Sequence, residues 1–556
     1  MFMFNAKPES SNYNELINNI ESGRVKIPQF QRKFVWSLDM TVKLLDSIIK
    51  GYPIGSFILW KTKERLRSIR NVGGVSLPEP PEGDLVQYVL DGQQRMTSLY
   101  VAMKGLEIND DDRHDNFAKI YVDLDAKDDD PVVINEIEGK SSESLVRFTD
   151  LIDHMGELIV AKPAYSGRII SLNQSVTSYR FSTILVNEAP IEIATEIFTR
   201  LNEGGKRLSV FEIMVAKTYD VYSNFDLSEK YESLVEELKK SDFETISSAV
   251  LLQSVSACLV KECAKKHILK LDKMSIINEW NSIISAFKDA VDYMHSFFRI
   301  PVSQLMPYDS LLIPFTYYFY KHKEKPVEDQ QAYMQDFFWR CVLTSRYSSA
   351  TETKLSQDIK RIDVILSGKK PDYEDPIDIS EDFLKMHGGF STGAAFIKGI
   401  LCLLAYHQPL SFLDNALVTI DNSWLKQANS KNYHHFFPRA YMKKRGFDES
   451  YVNHIANITI VDDFLNKRKI QDKAPSKYIK EFGKNKKLEA ALQTHLICIP
   501  EPLDKNNPNA KTPTFTELKN DWGLAKDDYD TFFKKRLEQF NKELKERVIL
   551  TSVDRS

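Results

Sequence analysis

The chain has 556 residues, a formal net charge of −4, 42% hydrophobic residues and 27% charged residues. This length predicts about two or three domains, each able to bury a core without disulfides, in an ordinary globular protein. The five cysteines are scattered without a C-x-x-C pair, which argues against a disulfide scaffold or a structural zinc site. This cysteine pattern indicates a reducing cytoplasm, and since no apolar run reaches membrane length, we expect no membrane partner.

The first 220 residues or so mix strand and helix patterns. Ser37 precedes apolar residues at helical spacing, and Gly51-Tyr52-Pro53 ends that pattern. Residues 56–60 and 86–90 are short apolar runs, which predict buried strands, and the alternation of Ile120, Val122 and Leu124 predicts another. This part is therefore expected to be an α/β domain.

From about residue 190 the apolar period becomes helical. Ser209-x-x-Glu212 is a capping box ahead of an apolar run, and helical patterns then recur through residues 225–400. The stretch 367–390 is rich in Gly, Pro and Asp and is the expected junction to the last domain. A charged helix is predicted near the C-terminus, at about 526–548.

An Asp-Gly-Gln-Gln-Arg segment follows the strand predicted at 86–90. Gly92 would turn the strand into a helix starting at Gln93, and a helix N-terminus favours an anion. Arg95 could donate two hydrogen bonds to a phosphate, and Asp91 could hold a metal or a water. Two alternatives remain open: Arg95 pairs with a carboxylate, or Gln31, Arg32, Gln93 and Arg95 form an interior polar network that joins the halves of the domain.

The C-terminal part contains a histidine pair followed by two asparagines. His434 and His435 precede Phe-Phe-Pro, Asn457 follows, and Asn466 comes nine positions after Asn457. Hydrolysis of a phosphodiester needs a base to activate water and a cation to neutralise charge. A strand carrying the histidines, a second strand at 458–461 and a following helix would supply both, and histidine with asparagine suits Mg²⁺ or Mn²⁺. A surface histidine pair and helix-capping asparagines are the alternative.

A basic cluster surrounds these residues. Positions 431–487 carry 14 Lys and Arg against 6 Asp and Glu, although the whole chain is slightly acidic. Lys467, Arg468 and Lys469 directly follow Asn466. Local positive charge of this kind is what contact with a nucleic acid backbone requires.

These C-terminal residues resemble the HNH nuclease family, in the His-His-x-x-Pro form found at the C-terminus of GmrSD-type restriction proteins. The resemblance implies that His435 is the general base, that His434 and Asn466 bind the metal, and that Asn457 belongs to the catalytic set by bracing the loop that carries the base. It also implies that Lys467, Arg468 and Lys469 lie beside DNA. The 22 positions from His435 to Asn457 exceed those of compact HNH units, so an inserted helix is expected around 440–451.

The Asp-Gly-Gln-Gln-Arg segment, together with the stretch 27–36, which carries Arg32 among aromatic residues, and the stretch 198–205, which ends in Gly-Gly, resembles the ParB-like domain of GmrSD-type proteins over about residues 10–220. This resemblance implies binding and hydrolysis of a nucleoside triphosphate, with Asp91 catalytic. GTP, ATP or another nucleotide would serve, and no P-loop motif is present. The nucleotide-binding residues implied are Gln31, Arg32, Asp91, Gly92, Gln93, Gln94, Arg95 and Asn202.

The predicted fold is therefore α+β and multidomain. A ParB-like α/β nucleotide domain is expected at 1–225, an all-helical region at 226–400 and a ββα-metal (HNH) nuclease domain at 401–556. A single HNH site cuts one strand at a time, so double-strand cleavage predicts a homodimer or two successive events.

The resemblance implies a nucleotide-regulated, metal-dependent DNA endonuclease of bacterial anti-phage defence. Its substrate would be double-stranded phage or other foreign DNA with modified bases, for example glucosylated hydroxymethylcytosine. Two alternatives use the same residues. One is a nucleotide-hydrolysing nuclease that senses phosphorothioate DNA in a sulfur-modification defence system, and the other is a non-enzymatic ParB-like DNA-binding regulator.

Overall fold

The computed structural model describes residues 6–28, 34–66, 68–69, 71–72, 75–81, 83–110, 113–127, 130–201, 209–220, 223–422, 433–462, 464–501 and 511–556. The chain divides into two compact units, Met1–Leu227 and Ser228–Ser556. The further division into three domains stays a prediction.

A six-stranded mixed sheet forms the centre of the first unit, in the order β1-β13-β3-β7-β2-β4. Its strands are β1 (Ala6–Ser11), β2 (Val25–Pro28), β3 (Phe57–Thr62), β4 (Ser68–Ile69), β7 (Val86–Asp91) and β13 (Phe181–Asn187). The central strands β3 and β7 are mostly buried because their residues are apolar, whereas β1 is a polar, exposed edge strand.

Smaller sheets and eight helices complete the first unit as described. The short strands are β5 (Asn71–Val72), β6 (Val75–Ser76), β8 (Glu107–Asp110), β9 (Arg113–Asn116), β10 (Tyr121–Asp123), β11 (Val133–Ile134) and β12 (Leu145–Arg147). The helices are α1 (Tyr13–Glu21), α2 (Leu38–Ile49), α3 (Gln93–Met103), α4 (Phe148–Asp153), α5 (Met155–Ala161), α6 (Ser166–Thr177), α7 (Ile191–Leu201) and α8 (Val210–Thr218). Together with the sheet, α1, α2, α3, α4 and α6 enclose one apolar core.

The local signals read from the sequence are found in these elements. The Ser37 side chain accepts a hydrogen bond from Met40 N and caps α2, and Ser209 and Glu212 form the predicted capping box of α8. The predicted strand, Asp-Gly turn and helix correspond to β7 and α3. The α/β character of the N-terminal part is confirmed.

Helices dominate the second unit. They are α9 (Leu227–Leu238), α10 (Ser248–Val260), α11 (Lys265–Ile268), α12 (Lys273–Ser296), α13 (Leu312–Lys321), α14 (Glu328–Leu343), α15 (Thr351–Leu366), α16 (Glu381–His387) and α17 (Ala395–Tyr406). Further along the chain follow α18 (Arg439–Lys444), α19 (Glu449–Val452), α20 (Pro475–Phe482), α21 (Leu488–Gln493), α22 (Phe515–Asp521) and α23 (Tyr529–Lys545). The predicted helical region is confirmed, and the expected junction at 367–390 contains α16 and lies within one unit.

A two-stranded sheet lies among these helices. Strand β14 (Tyr433–His435) pairs with β15 (Ile458–Ile460), and α18 and α19 occupy the connection between them, where a single helix was expected. After β15 the chain enters a short π-helical segment, Leu465–Ile470. Over the part of the chain that the structure describes, no helix has the length and apolarity needed to cross a membrane.

Candidate functional site

The histidine pair lies on strand β14, opposite the strand that follows Asn457. His434 is opposite Thr459 and His435 is opposite Ile458 in an antiparallel register. Neighbouring residues of a strand point to opposite faces, so the two imidazoles have different surroundings. The imidazole of His434 is buried, and that of His435 is half-buried.

The enclosed imidazole is that of His434, whose side chain is 2% exposed. Its Nδ1 lies 3.0 Å from Thr459 Oγ1, and that hydroxyl donates its own proton to the carbonyl of His434, at 3.3 Å. The hydroxyl therefore accepts from Nδ1–H, which leaves the lone pair on Nε2. Within the described residues Nε2 is buried and has no hydrogen-bond partner.

Burial also keeps this ring neutral. It lowers the pKa of His434 to about 3, with a smaller contribution from His435 and His495. A neutral imidazole with one nitrogen donating to a fixed acceptor and the other unpartnered is the arrangement that histidine metal ligands adopt. The donor chemistry of His434 thus fits a metal ligand.

His435 is held by a residue that sequence reasoning did not identify. Its Nε2 lies 2.9 Å from Oδ1 of Asn453, at the end of α19. Burial, reinforced by Arg439, lowers the pKa of His435 below its usual value, although the bond to Asn453 acts in the opposite direction. The ring is therefore neutral at physiological pH and able to accept a proton.

Asn457 braces the loop after the histidines and does not face solvent. Its side chain is fully buried; Oδ1 accepts from Phe437 N at 2.8 Å, and Nδ2 donates to the carbonyls of Phe437 and Val452, both at 3.0 Å. All its polar atoms are thus engaged by the backbone. Bracing this loop is the role by which the resemblance places Asn457 in the catalytic set, and that assignment stays a prediction.

An arginine from the C-terminal helix fixes the same strand. Arg536, on α23, is fully buried and donates from Nε to the carbonyl of Ala456 at 3.1 Å and from Nη2 to that of Ile458 at 2.7 Å. Its Nη1 donates to the carbonyls of His495 and Leu496. These bonds hold the segment that carries Asn457 against α23.

The remaining predicted C-terminal residues lie on the π-helical segment. Asn466 is half-buried there, its backbone N–H donates to Asp462 O at 3.1 Å, and Lys467 and Arg468 are exposed. Lys469 lies with Nζ 5.4 Å from the ring centroid of Phe464. No group of three His, Cys, Asp or Glu side chains suited to a metal occurs in the described ranges. The predicted metal ligands, His434 and Asn466, are one histidine and one amide, so a group of this kind would not include them.

In the first unit, the Asp-Gly-Gln-Gln-Arg segment forms the turn from β7 to α3. Gly92 has φ of +89°, and a side chain there would lie 2.6 Å from the Phe57 ring. The Arg95 guanidinium donates to Asp91 at 3.1 Å and to the carbonyls of Ile54 at 2.7 Å and Ser56 at 3.1 Å. These are the contacts of the alternative in which Arg95 pairs with a carboxylate and secures a loop.

The two glutamines also make internal contacts. Gln93 and Gln94 are 4% and 7% exposed. Nε2 of Gln94 donates to Oε1 of Gln93 at 3.0 Å, and Oε1 of Gln94 accepts from Val35 N at 2.8 Å. These contacts are internal to the unit, but the predicted network that also includes Gln31 and Arg32 stays a prediction. Gln31, Arg32 and Asn202 lie outside the described residues.

Sequence reasoning missed Asn453, Thr459 and Arg536. No spacing pattern identifies them, because their partners are distant along the chain. Asn453 contacts a side chain 18 positions away, and Arg536 contacts backbone carbonyls 40 to 80 positions away. A threonine facing a histidine across a predicted hairpin register is the only signal that was available for Thr459.

Comparison with known protein families gives one match, in the N-terminal part of the chain. Residues 13–219 match the model of the GmrSD restriction endonuclease N-terminal domain. This range supports the resemblance of the first unit to restriction endonucleases and does not extend to the histidine pair.

One relative spans nearly the whole chain. It is uncharacterized protein MJ0686 of Methanocaldococcus jannaschii, which is 23% identical over 615 aligned positions that cover 98% of each chain. The similarity therefore includes both units.

Proposed function

We propose that this protein is a metal-dependent DNA endonuclease whose second unit carries an HNH-type site. The observation that carries the proposal is the state of His434: a buried, neutral imidazole with Nδ1 donating to Thr459 and Nε2 unpartnered among the described residues. The N-terminal match to a restriction endonuclease family supports DNA as the substrate.

The roles of the residues follow from their chemistry. His434 and Asn466 would hold Mg²⁺ or Mn²⁺, which supplies neutralisation of charge on the scissile phosphate. His435 accepts a proton from water as the water oxygen bonds to phosphorus, and the phosphorus–oxygen bond to the leaving sugar breaks. Lys467, Arg468 and Lys469 bind the DNA backbone.

The proposal for the first unit is binding and hydrolysis of a nucleoside triphosphate that regulates cleavage. It is supported by the left-handed Gly92 at the start of α3, where the helix dipole favours an anion. Because Arg95 and Gln94 bind protein groups, nucleotide binding would require Arg95 to leave the carbonyls of Ile54 and Ser56, or the phosphates to be bound by other groups of this turn.

The test compares cleavage of glucosylated hydroxymethylcytosine phage DNA and of unmodified plasmid, with Mg²⁺ or Mn²⁺ and with or without each nucleotide. The wild type is run beside Asp91→Ala and His435→Ala. We expect cleavage that requires His435, prefers modified DNA and responds to nucleotide only when Asp91 is present. Equal nicking of both DNAs without a nucleotide effect would remove the sensing and regulatory roles and leave the nuclease.

The same experiment separates the alternatives. Phosphorothioate-containing plasmid as a third substrate identifies a sulfur-sensing nuclease if it alone is cut or alone changes the nucleotide response. DNA binding without cleavage under every metal and nucleotide would identify the ParB-like regulator.

A further inference from the structure

The orientation of the Asn453 amide can be determined from its two partners. One amide atom faces the carbonyl oxygen of Phe390 at 3.4 Å, and the other faces Nε2 of His435 at 2.9 Å. A carbonyl oxygen can only accept a hydrogen bond, so the atom that faces Phe390 is the Nδ2 donor. Oδ1 of Asn453 therefore faces His435.

This orientation fixes the tautomer of the neutral His435 ring. An amide oxygen can only accept, so Nε2 of His435 carries the proton and donates it to Asn453. The lone pair is then on Nδ1, which has no hydrogen-bond partner among the described residues. Which ring nitrogen is protonated decides which one can accept a proton from water.

The backbone of Asn453 is fixed by hydrogen bonds to two other residues. Its backbone N–H donates to Glu449 O at 2.8 Å, and its carbonyl accepts from Phe390 N at 2.9 Å. The Phe390 ring lies edge-on to the His435 ring, with centroids 6.5 Å apart, and to the Tyr433 ring, at 5.2 Å. The segment before α17 and the end of α19 thus hold the imidazole together.

We propose that Asn453 is the positioning residue of this site, which holds His435 in the Nε2–H tautomer and so makes Nδ1 the atom that accepts the proton from water. The inference rests on the proposed nuclease function for its catalytic consequence. Its structural part, the tautomer, can be measured without any cleavage.

The first readout is the tautomer itself. Full-length protein labelled with ¹⁵N-histidine would be studied by NMR at pH 8, where neutral rings show separate signals for protonated and unprotonated nitrogens, and His435→Gln would assign the signal. We expect Nε2–H in the wild type and in Asn453→Asp, which keeps the acceptor oxygen, and a mixture of tautomers in Asn453→Leu. Nδ1–H in the wild type would overturn the proposal.

The second readout is cleavage of plasmid DNA. We expect Asn453→Leu to lower kcat by about 10- to 100-fold with little change in KM, since supporting residues around such sites have effects of this size. Asn453→Asp should retain most of the wild-type kcat. Asn541→Leu is the matched control, because Asn541 is also half-buried and donates to a backbone carbonyl, that of Ile379 at 2.7 Å.

The outcomes separate this inference from the proposed function. Equal loss of kcat in Asn453→Leu and Asn541→Leu would show general destabilisation and overturn the positioning role. A wild type that holds Nε2–H but cuts no DNA with any metal would overturn the nuclease, and with it the catalytic part of the inference.

Discussion

Gly92 occupies a turn that other residues cannot form without cost. Its φ of +89° is in the left-handed region, and an added Cβ would lie 2.6 Å from Phe57 Cδ1 and 3.2 Å from Arg95 Nη2. We expect Gly92→Ala to destabilise α3 by more than about 2 kcal/mol, through backbone strain and overlap together. Gly139→Ala is the control, because Gly139 has φ of +77° but no atom within 4 Å of its Cβ position.

Hydrogen exchange of the α3 amides measures this prediction, because it reports opening of one element within a larger chain. Gly139→Ala should show the strain alone, about 1 kcal/mol in its own segment. Unchanged hydrogen exchange of α3 in Gly92→Ala would contradict the prediction that a side chain at this position overlaps with Phe57 and Arg95.

The Gly92 turn shows what residue patterns can predict. An apolar run, a glycine and a helical period lie next to each other in sequence, so β7 and α3 were predicted at their observed positions. The partners of Arg95 were not, because Ile54 and Ser56 come from a different part of the chain. Asn453 is missed for the same reason: its effect on His435 depends on how α19 folds back beside β14.

At the scale of elements, α23 secures the hairpin through one buried side chain. Arg536 has no carboxylate partner within hydrogen-bonding distance among the described residues, and burial lowers its pKa to about 9. Its guanidinium donates to four backbone carbonyls, including those of Ala456 and Ile458. Replacing it leaves these buried acceptors without donors, which costs roughly 1–3 kcal/mol for each group.

We therefore expect Arg536→Met to reduce the stability of β14 and β15 by more than about 3 kcal/mol. Hydrogen exchange of the hairpin amides would measure the loss. Lys534→Met, two positions earlier on the same helix with a 73% exposed side chain, should change little. Equal effects of the two substitutions would mean that the guanidinium does not anchor the strand.

Some elements could not be predicted because their residues are polar. The edge strand β1, with the sequence AKPESS, has no apolar alternation and was not predicted, because its pairing with β13 supplies backbone hydrogen bonds and no buried side chains. The helical character of residues 225–400 and the C-terminal helix were predicted because apolar residues recur there at helical spacing, whereas the short helices Pro475–Phe482, Leu488–Gln493 and Phe515–Asp521 were not predicted.

At the scale of the whole molecule, the C-terminal residues are tied to the helical region of the second unit. The Asp554 carboxylate accepts from Arg340, on α14, at 2.7 Å and from Ile377 N at 2.8 Å. The backbone of Arg555 pairs with the backbone of Asp378 in an isolated parallel β-bridge. The sequence gives no signal for this contact, since more than 170 positions separate the partners.

This contact should make stability depend on pH. Burial alone would raise the pKa of Asp554, but hydrogen bonds from Arg340, Ile377 N and Thr551 outweigh it and hold the pKa well below its usual value. The stabilisation is therefore complete above about pH 4 and is lost as the pH falls through the lowered pKa.

We expect Asp554→Asn to cost about 3 kcal/mol at pH 7, because it leaves the buried Arg340 with one carboxylate fewer, and to cost progressively less below pH 4. Thermal unfolding of wild type and variant between pH 3 and 7 measures the difference. A difference that stays constant across this range would show that the Asp554 charge contributes nothing.

Nicking of supercoiled plasmid DNA in Mg²⁺ or Mn²⁺ by the wild type, His435→Ala and His387→Ala tests the central claim most directly. His387 is an exposed histidine of the same unit, on α16, and serves as the control. We expect nicking by the wild type and by His387→Ala, and a loss of about 100-fold or more in His435→Ala, the effect of removing a general base. Nicking by His435→Ala at the wild-type rate would contradict the assignment of the site.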